Sequence, residues 1–208
     1  MAEIRYVADQ LMGYPDLQGR LLLFRKCFMM KPVHLFRTMP PSSIAGYVDQ
    51  VESLKREVLC SILGCLPGEI SEVQWRMFDL PVNKGGLGLR SFADVAKCSF
   101  VASLVEECRR IWGGDRDFPN VSLLQELRQS ILNLDLPIDV FGLEYSRPKG
   151  TIQHQLQVLL DAKRLEELKL RFPDREHLVW WENHCCDSSG AWLECIPKYS
   201  TFVVPSGR

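Results

Sequence analysis

An apolar stripe with a helical period extends from residue 44 to residue 65, and this feature constrains the fold more than any other in the sequence. Its members recur every three or four positions: Ile44, Tyr47, Val48, Val51, Leu54, Val58, Ile62 and Cys65. That spacing places them on one side of a helix, because an α-helix turns by about 100° per residue. The stripe therefore predicts a helix that buries one face in a packed core.

Further helices are predicted over residues 17–37, 91–111, 122–132 and 152–172, so the predicted fold class is all-α. In the first of these segments the apolar face consists of Leu17, Leu21, Phe24, Phe28 and Leu35. Pro32 lacks a backbone donor and crowds the preceding turn, so we expect the helix to kink or restart there.

The predicted organisation has three parts. Residues 1–136 form a helical bundle, and residues 137–150, which contain two prolines and two glycines, form a linker. Residues 151–208 form one long helix followed by an irregular tail that contains tryptophan and cysteine. A chain of 208 residues with 46% hydrophobic and 25% charged residues is long and apolar enough for such a core.

Cations are concentrated on the segment that precedes the main stripe. Between residues 17 and 48 the chain has five lysines and arginines and no acid, although the net charge of the whole chain is −1. A cluster of this kind predicts contact with nucleic-acid phosphates, and the alternative is an ordinary solvated helix face. The predicted phosphate contacts in this segment are Arg20, Lys26, Lys31 and Arg37.

A glycine run occupies residues 84–91, Lys-Gly-Gly-Leu-Gly-Leu-Arg-Ser. Two interpretations remain open: a tight turn that lets two segments pack, and a cradle of backbone N–H groups that holds a phosphate. The run matches neither a Walker motif nor a dinucleotide fingerprint. Lys84 and Arg90 are further candidates for phosphate contact.

Potential zinc ligands gather near the end of the sequence, but their spacing does not predict a site. Structural zinc sites pair ligands two to four residues apart, whereas two of these cysteines are adjacent and a third stands alone. The residues concerned are His177, His184, Cys185, Cys186 and Cys195. We therefore expect no metal and no cofactor, and no nucleophile–base pair predicts a catalytic residue.

The first residues show no secretory signal, and no apolar run approaches the length needed to cross a bilayer. The expected location is intracellular, in the nucleus or the cytoplasm, with reduced cysteines and no membrane partner.

Residues 75–91 resemble a segment of the reverse transcriptases of non-LTR retrotransposons. The shared order is Trp75, five residues, Pro81, three residues and then Gly-Gly-Leu-Gly-Leu-Arg-Ser, followed by an alanine-containing helix. Residues 22–28, 31–32 and 35–41 look like the helical thumb that precedes this segment. Gly190-Ala191-Trp192-Leu193 with Ile196-Pro197 is similar to a segment further downstream in some of these polymerases.

The resemblance implies a thumb that contacts a template–primer duplex and, in the intact polymerase, RNA-directed DNA synthesis on metal-bound carboxylates. The fingers and the carboxylate-bearing palm have no counterpart in this sequence. We therefore expect a fragment or remnant that is non-catalytic by itself and binds an RNA or primer–template duplex without sequence specificity. A separate palm-bearing polypeptide is a possible partner. The alternatives are a helical protein-interaction module and a decayed gene product with no function.

Overall fold

The computed structural model describes residues 1–113, 120–143 and 150–172, together with residues 176, 179 and 181. All regular elements in these residues are helical, which confirms the predicted all-α class. The α-helices are α1 (Ala2–Gly13), α2 (Leu17–Lys26), α3 (Val33–Thr38), α4 (Ala45–Leu63), α5 (Glu72–Asp79), α6 (Phe92–Trp112), α7 (Val121–Leu134) and α8 (Ile152–Lys169). Short 3-10 helices cover Phe28–Met30, Pro67–Glu69, Val82–Lys84 and Val140–Gly142. None of the helices in these ranges is long and apolar enough to cross a bilayer.

The chain forms two compact units, and each draws on separate stretches of sequence. The first unit contains residues 1–31, 50–90 and 164–208, and the second contains residues 32–49 and 91–163. The predicted division into residues 1–136, 137–150 and 151–208 differs from this arrangement. The reason is that the predicted linker and the first half of α8 share a core with α6 and α7, so no compact unit ends at residue 136.

In the first unit, α1 and α2 pack together with the 3-10 helix that follows them. The rings of Phe24 and Phe28 lie 5.2 Å apart in this region, and both side chains are fully buried. On the neighbouring helices, the guanidinium of Arg56 lies 4.9 Å from the centre of the buried Trp75 ring, a cation–π contact that joins α4 to α5.

A small cluster in the same unit joins the end of α8 to α5. Its buried members are Leu80, Leu168 and Trp181, and the Trp181 ring stacks on Phe172 at 5.3 Å. Trp181 lies in the stretch that was predicted to be an irregular tail, so at least this side chain takes part in the core of the first unit.

In the second unit, α6 packs against α3 and α7. Its main core consists of Cys98, Val101, Ala102, Val105, Cys108, Leu124, Leu127, Leu134, Val140, Ile152, Leu156 and Leu160. Ser99 is buried with them, and its hydroxyl accepts a 2.8 Å hydrogen bond from the Gln153 amide of α8. That bond gives the buried hydroxyl a partner, which avoids the cost of an unsatisfied polar group.

The predicted apolar stripe is confirmed. In the preceding segment, residues 17–37, the set of buried positions differs from the predicted one after the helix restarts. Of the stripe residues, Ile44, Val48, Val51, Leu54, Val58 and Ile62 are buried. Between α2 and α3 the helix restarts after Pro32, as expected for a residue without an N–H group. The restart shifts the buried position by one residue, so Phe36 rather than Leu35 is fully buried.

Candidate nucleic-acid interface

The predicted phosphate contacts do not share one helix. Lys26 ends α2, Lys31 lies in the irregular turn before Pro32, and Arg37 belongs to α3 in the second unit. The side chains of Lys26, Lys31, Arg37 and Lys84 are exposed, whereas Arg20 and Arg90 are half-buried. The charges of residues 17–37 are therefore divided among α2, a short turn and α3, with the restart at Pro32 that the sequence predicts.

Arg20 has a structural role in the first unit. Its Nε donates to the carbonyl oxygen of Tyr14 at 3.0 Å, and its Nη1 donates to both the carbonyl and the hydroxyl oxygen of Ser61 at 3.3 Å. These bonds tie the start of α2 to α4. An arginine that is held by protein oxygens presents few donors to an incoming phosphate.

Lys31 and Arg37 form ion pairs with acids from distant parts of the sequence. Lys31 Nζ lies 2.6 Å from Glu3 Oε1, and Arg37 Nη2 lies 3.5 Å from Glu106 Oε2. The hydrogen bond and the charge of Lys31 lower the pKa of the Glu3 carboxyl below its usual value. Such exposed pairs contribute little to stability, so a phosphate can compete with the carboxylate.

The glycine run is a tight turn that caps the end of α5. Each backbone N–H from residue 84 to residue 89 donates to a carbonyl oxygen of residues 78–82, at distances of 2.8 to 3.2 Å. A Cβ atom on Gly86 would lie 2.1 Å from the carbonyl oxygen of Leu80, so only glycine fits there. The interpretation as a backbone phosphate cradle is wrong, because these N–H groups already donate to carbonyl oxygens of the last turn of α5 and of the residues that follow it.

Lys55 is a buried cation that the sequence analysis did not single out. Its side chain is only 1% exposed, and its Nζ lies 2.5 Å from Glu52 Oε1 and 2.9 Å from Asp79 Oδ1. The same ammonium donates to the carbonyl oxygen of Leu89 at 3.1 Å. Lys55 therefore links α4, the last residue of α5 and the glycine run, immediately before Arg90.

A second contact brings α2 against the glycine run. A Cβ atom placed on Gly88 would lie 3.3 Å from Arg25 Nη2 and 3.6 Å from a methyl carbon of Val82. The guanidinium of Arg25 thus packs against the side of Gly88 on which any other residue would carry its side chain. This contact brings the basic end of α2, with Arg25 and Lys26, next to the segment that carries Lys84 and Arg90.

The potential zinc ligands lie outside the residues that the structure describes. Within the described ranges, no group of three or more His, Cys, Asp or Glu side chains is placed to hold a metal ion. Comparisons with models of protein families, with curated proteins and with solved structures found no match to this chain.

Proposed function

We propose that the first unit binds the phosphates of a nucleic-acid duplex without reading its sequence. The observation that carries the proposal is the packing of Arg25 against Gly88, which places one cation of α2 against the glycine run. Neither residues 17–48 nor residues 80–93 contain an acid, so the charged side chains of these two segments are all positive. Clustered lysines and arginines bind nucleic acid by neutralising phosphates and releasing counterions.

The proposed phosphate contacts are Arg25, Lys26, Lys84 and Arg90. Lys31 is a fifth proposed contact, and its ion pair with Glu3 has to break before it can bind a phosphate. All five belong to the first unit. These side chains would position the duplex, because phosphate contacts carry no sequence information. Arg25 replaces Arg20 in the predicted set, since the guanidinium of Arg20 is held by Tyr14 and Ser61. Arg37 lies in the second unit and is left out of this surface.

We propose further that this activity corresponds to the thumb of a non-LTR retrotransposon reverse transcriptase, of which the chain is a fragment or remnant. The support is the ordered resemblance of residues 22–41 and 75–91, together with the helix that follows the glycine run at the predicted place, α6. A thumb holds the duplex while the palm carries the catalytic carboxylates. The proposed fragment is therefore non-catalytic by itself, and a separate palm-bearing polypeptide would be its partner in synthesis.

Salt dependence of duplex binding tests the proposal directly. We expect the full chain to bind a fluorescent RNA–DNA duplex, measured by anisotropy, more tightly than a single strand of the same length. The logarithm of the binding constant should fall linearly with the logarithm of salt concentration, by about 0.9 for each phosphate neutralised on B-form DNA. Binding that does not change with salt would contradict the proposal and favour a protein-interaction module.

Charge reversal at two exposed lysines is the matching test of location. The double variant Lys26→Glu and Lys84→Glu should weaken duplex binding by roughly tenfold or more and reduce the salt slope by about 2. The control variant Arg110→Glu and Arg128→Glu makes the same change in charge on exposed residues of the second unit. Equal losses in the two variants would show that net charge, rather than the proposed surface, governs binding.

A further inference from the structure

Two cysteines face each other at the end of α4, where the helix closes with a Schellman motif. Gly64 adopts a left-handed conformation with φ of 68°, and the N–H of Cys65 donates to the carbonyl oxygen of Cys60 at 3.1 Å. Because α4 ends at Leu63, Cys60 lies three positions before the last helical residue and Cys65 lies two positions after it. A contact between the side chains at these two positions frequently accompanies this motif, and here the two thiols are joined by a hydrogen bond.

The two thiols differ in their surroundings. Cys60 is 4% exposed, whereas Cys65 is half-buried, and both are free thiols in the structure. Burial raises the pKa of the Cys60 thiol to about 11, with further contributions from the charge of Cys65 and from the hydrogen bond with its thiol. Cys65 is thus the thiol that a solute can reach, and Cys60 is a neighbour shielded behind it.

We propose that Cys60 and Cys65 are a thiol-modification site that reacts with small-molecule disulfides and closes to an intramolecular disulfide. The proposal does not depend on nucleic-acid binding. The Schellman motif supplies the preorganisation, since it holds both residues in contact before any oxidant arrives. Closure then joins residue 60 to residue 65 and locks the left-handed turn at Gly64 between them.

The reaction has two exchange steps. The Cys65 thiolate attacks one sulfur of oxidised glutathione, which breaks the S–S bond and releases one glutathione thiolate. The Cys60 thiolate then attacks Sγ of Cys65 in the mixed disulfide and releases the second glutathione thiolate. Cys60 and Cys65 lose two protons and two electrons, while oxidised glutathione gains two electrons and its two thiolates take up protons. Only the thiolate attacks, so the second step should speed up by about tenfold per pH unit between pH 7 and pH 9.

Peptide mapping of the folded full chain gives a clear readout. Trypsin releases residues 57–76 as one peptide that contains Cys60 and Cys65 and no other cysteine. The folded chain is incubated with oxidised glutathione, and the remaining thiols are then alkylated. We expect the mass of this peptide to be two hydrogens below that of its reduced form, with no alkyl group attached. The exposed Cys27 should instead carry a mixed disulfide with glutathione. In concentrated urea, closure should be roughly tenfold less favourable because the preorganisation is lost.

Three variants separate the roles. Cys60→Ser should leave Cys65 as a stable mixed disulfide, and Cys65→Ser should leave Cys60 unreacted in the folded chain. Gly64→Ala, which is strained at a positive φ, should slow closure while keeping both thiols. The proposal is overturned if Cys65 pairs with Cys27, if residues 57–76 carry no internal disulfide while Cys27 reacts, or if urea leaves closure unchanged.

Discussion

Gly86→Ala is expected to lower the free energy of unfolding by about 3 kcal/mol, at the upper end of the usual cost of overpacking. The new Cβ atom would lie 2.1 Å from the carbonyl oxygen of Leu80 and 2.5 Å from that of Met77. Both neighbours are backbone atoms at the end of α5, so a change of rotamer cannot relieve the contact. The glycine run would have to move away from the helix end and lose hydrogen bonds with it. Urea denaturation followed by circular dichroism measures the change.

Gly46→Ala is the matched control for this substitution. Gly46 lies in α4, and a Cβ atom there would meet no other atom within 4 Å. Alanine is the better helix former, so this variant should be unchanged or more stable, by up to about 1 kcal/mol. Similar stability of the Gly86→Ala variant and the unsubstituted chain would mean that the turn does not approach α5 as closely as described.

Lys55→Met is expected to lower the free energy of unfolding by roughly 2 to 3 kcal/mol at neutral pH. Methionine keeps most of the volume but removes the ammonium that lies within 2.9 Å of carboxylate oxygens of both Glu52 and Asp79. Removing one partner of a buried ion pair typically costs about 3 to 5 kcal/mol, and the lower value here allows for the partial exposure of both carboxylates. Thermal or urea unfolding of the purified chain measures the loss.

Two further variants test the explanation. Lys31→Met removes a cation from an exposed pair and should change stability by less than about 0.5 kcal/mol. In the background of Asp79→Asn, the Lys55→Met substitution should cost less than it does alone, because the interaction between the two residues has already been removed. Additive losses would show that the ion pair with Asp79 does not contribute to the stability that Lys55 provides.

The core of the long helices could be predicted because their burial follows a local period. For α4, the positions of Val51, Leu54 and Val58 are fixed by spacing alone, and all three are buried. At the end of α6, Gly113 adopts the left-handed conformation that ends the helix, as its position after the apolar period predicts. At the start of α7, the side-chain oxygen of Asn120 caps the helix by accepting a 2.9 Å hydrogen bond from the N–H of Leu123.

Residues whose roles depend on distant contacts could not be predicted in the same way. Lys55 lies one turn after Val51, within the face of the apolar stripe, and its ammonium is compensated there by Asp79 and by the carbonyl oxygen of Leu89, both distant in sequence. Arg20 was grouped with the other cations, but its partner Ser61 lies 41 positions along the chain. No helical period contains this information, since it arises only when α2 and α4 pack.

The division of the chain into two compact units could not be predicted from local sequence patterns either. Proline and glycine between residues 137 and 150 indicate a break in regular structure, and such a break commonly separates domains. Here Val140 and Ile152 both join the core formed by α6 and α7. The same composition therefore describes a connection inside one compact unit.

The turn that closes the end of α5 also bears on the entropy of binding. Its hydrogen bonds join residues 84–89 to residues 78–82, so the loop closes over a short stretch of chain. Short closures lose little chain entropy and form quickly during folding. Lys84 and Arg90 consequently extend from backbone that is ordered before any ligand arrives. A duplex bound as proposed would immobilise only their side chains, so less of the electrostatic attraction would be offset by lost backbone entropy.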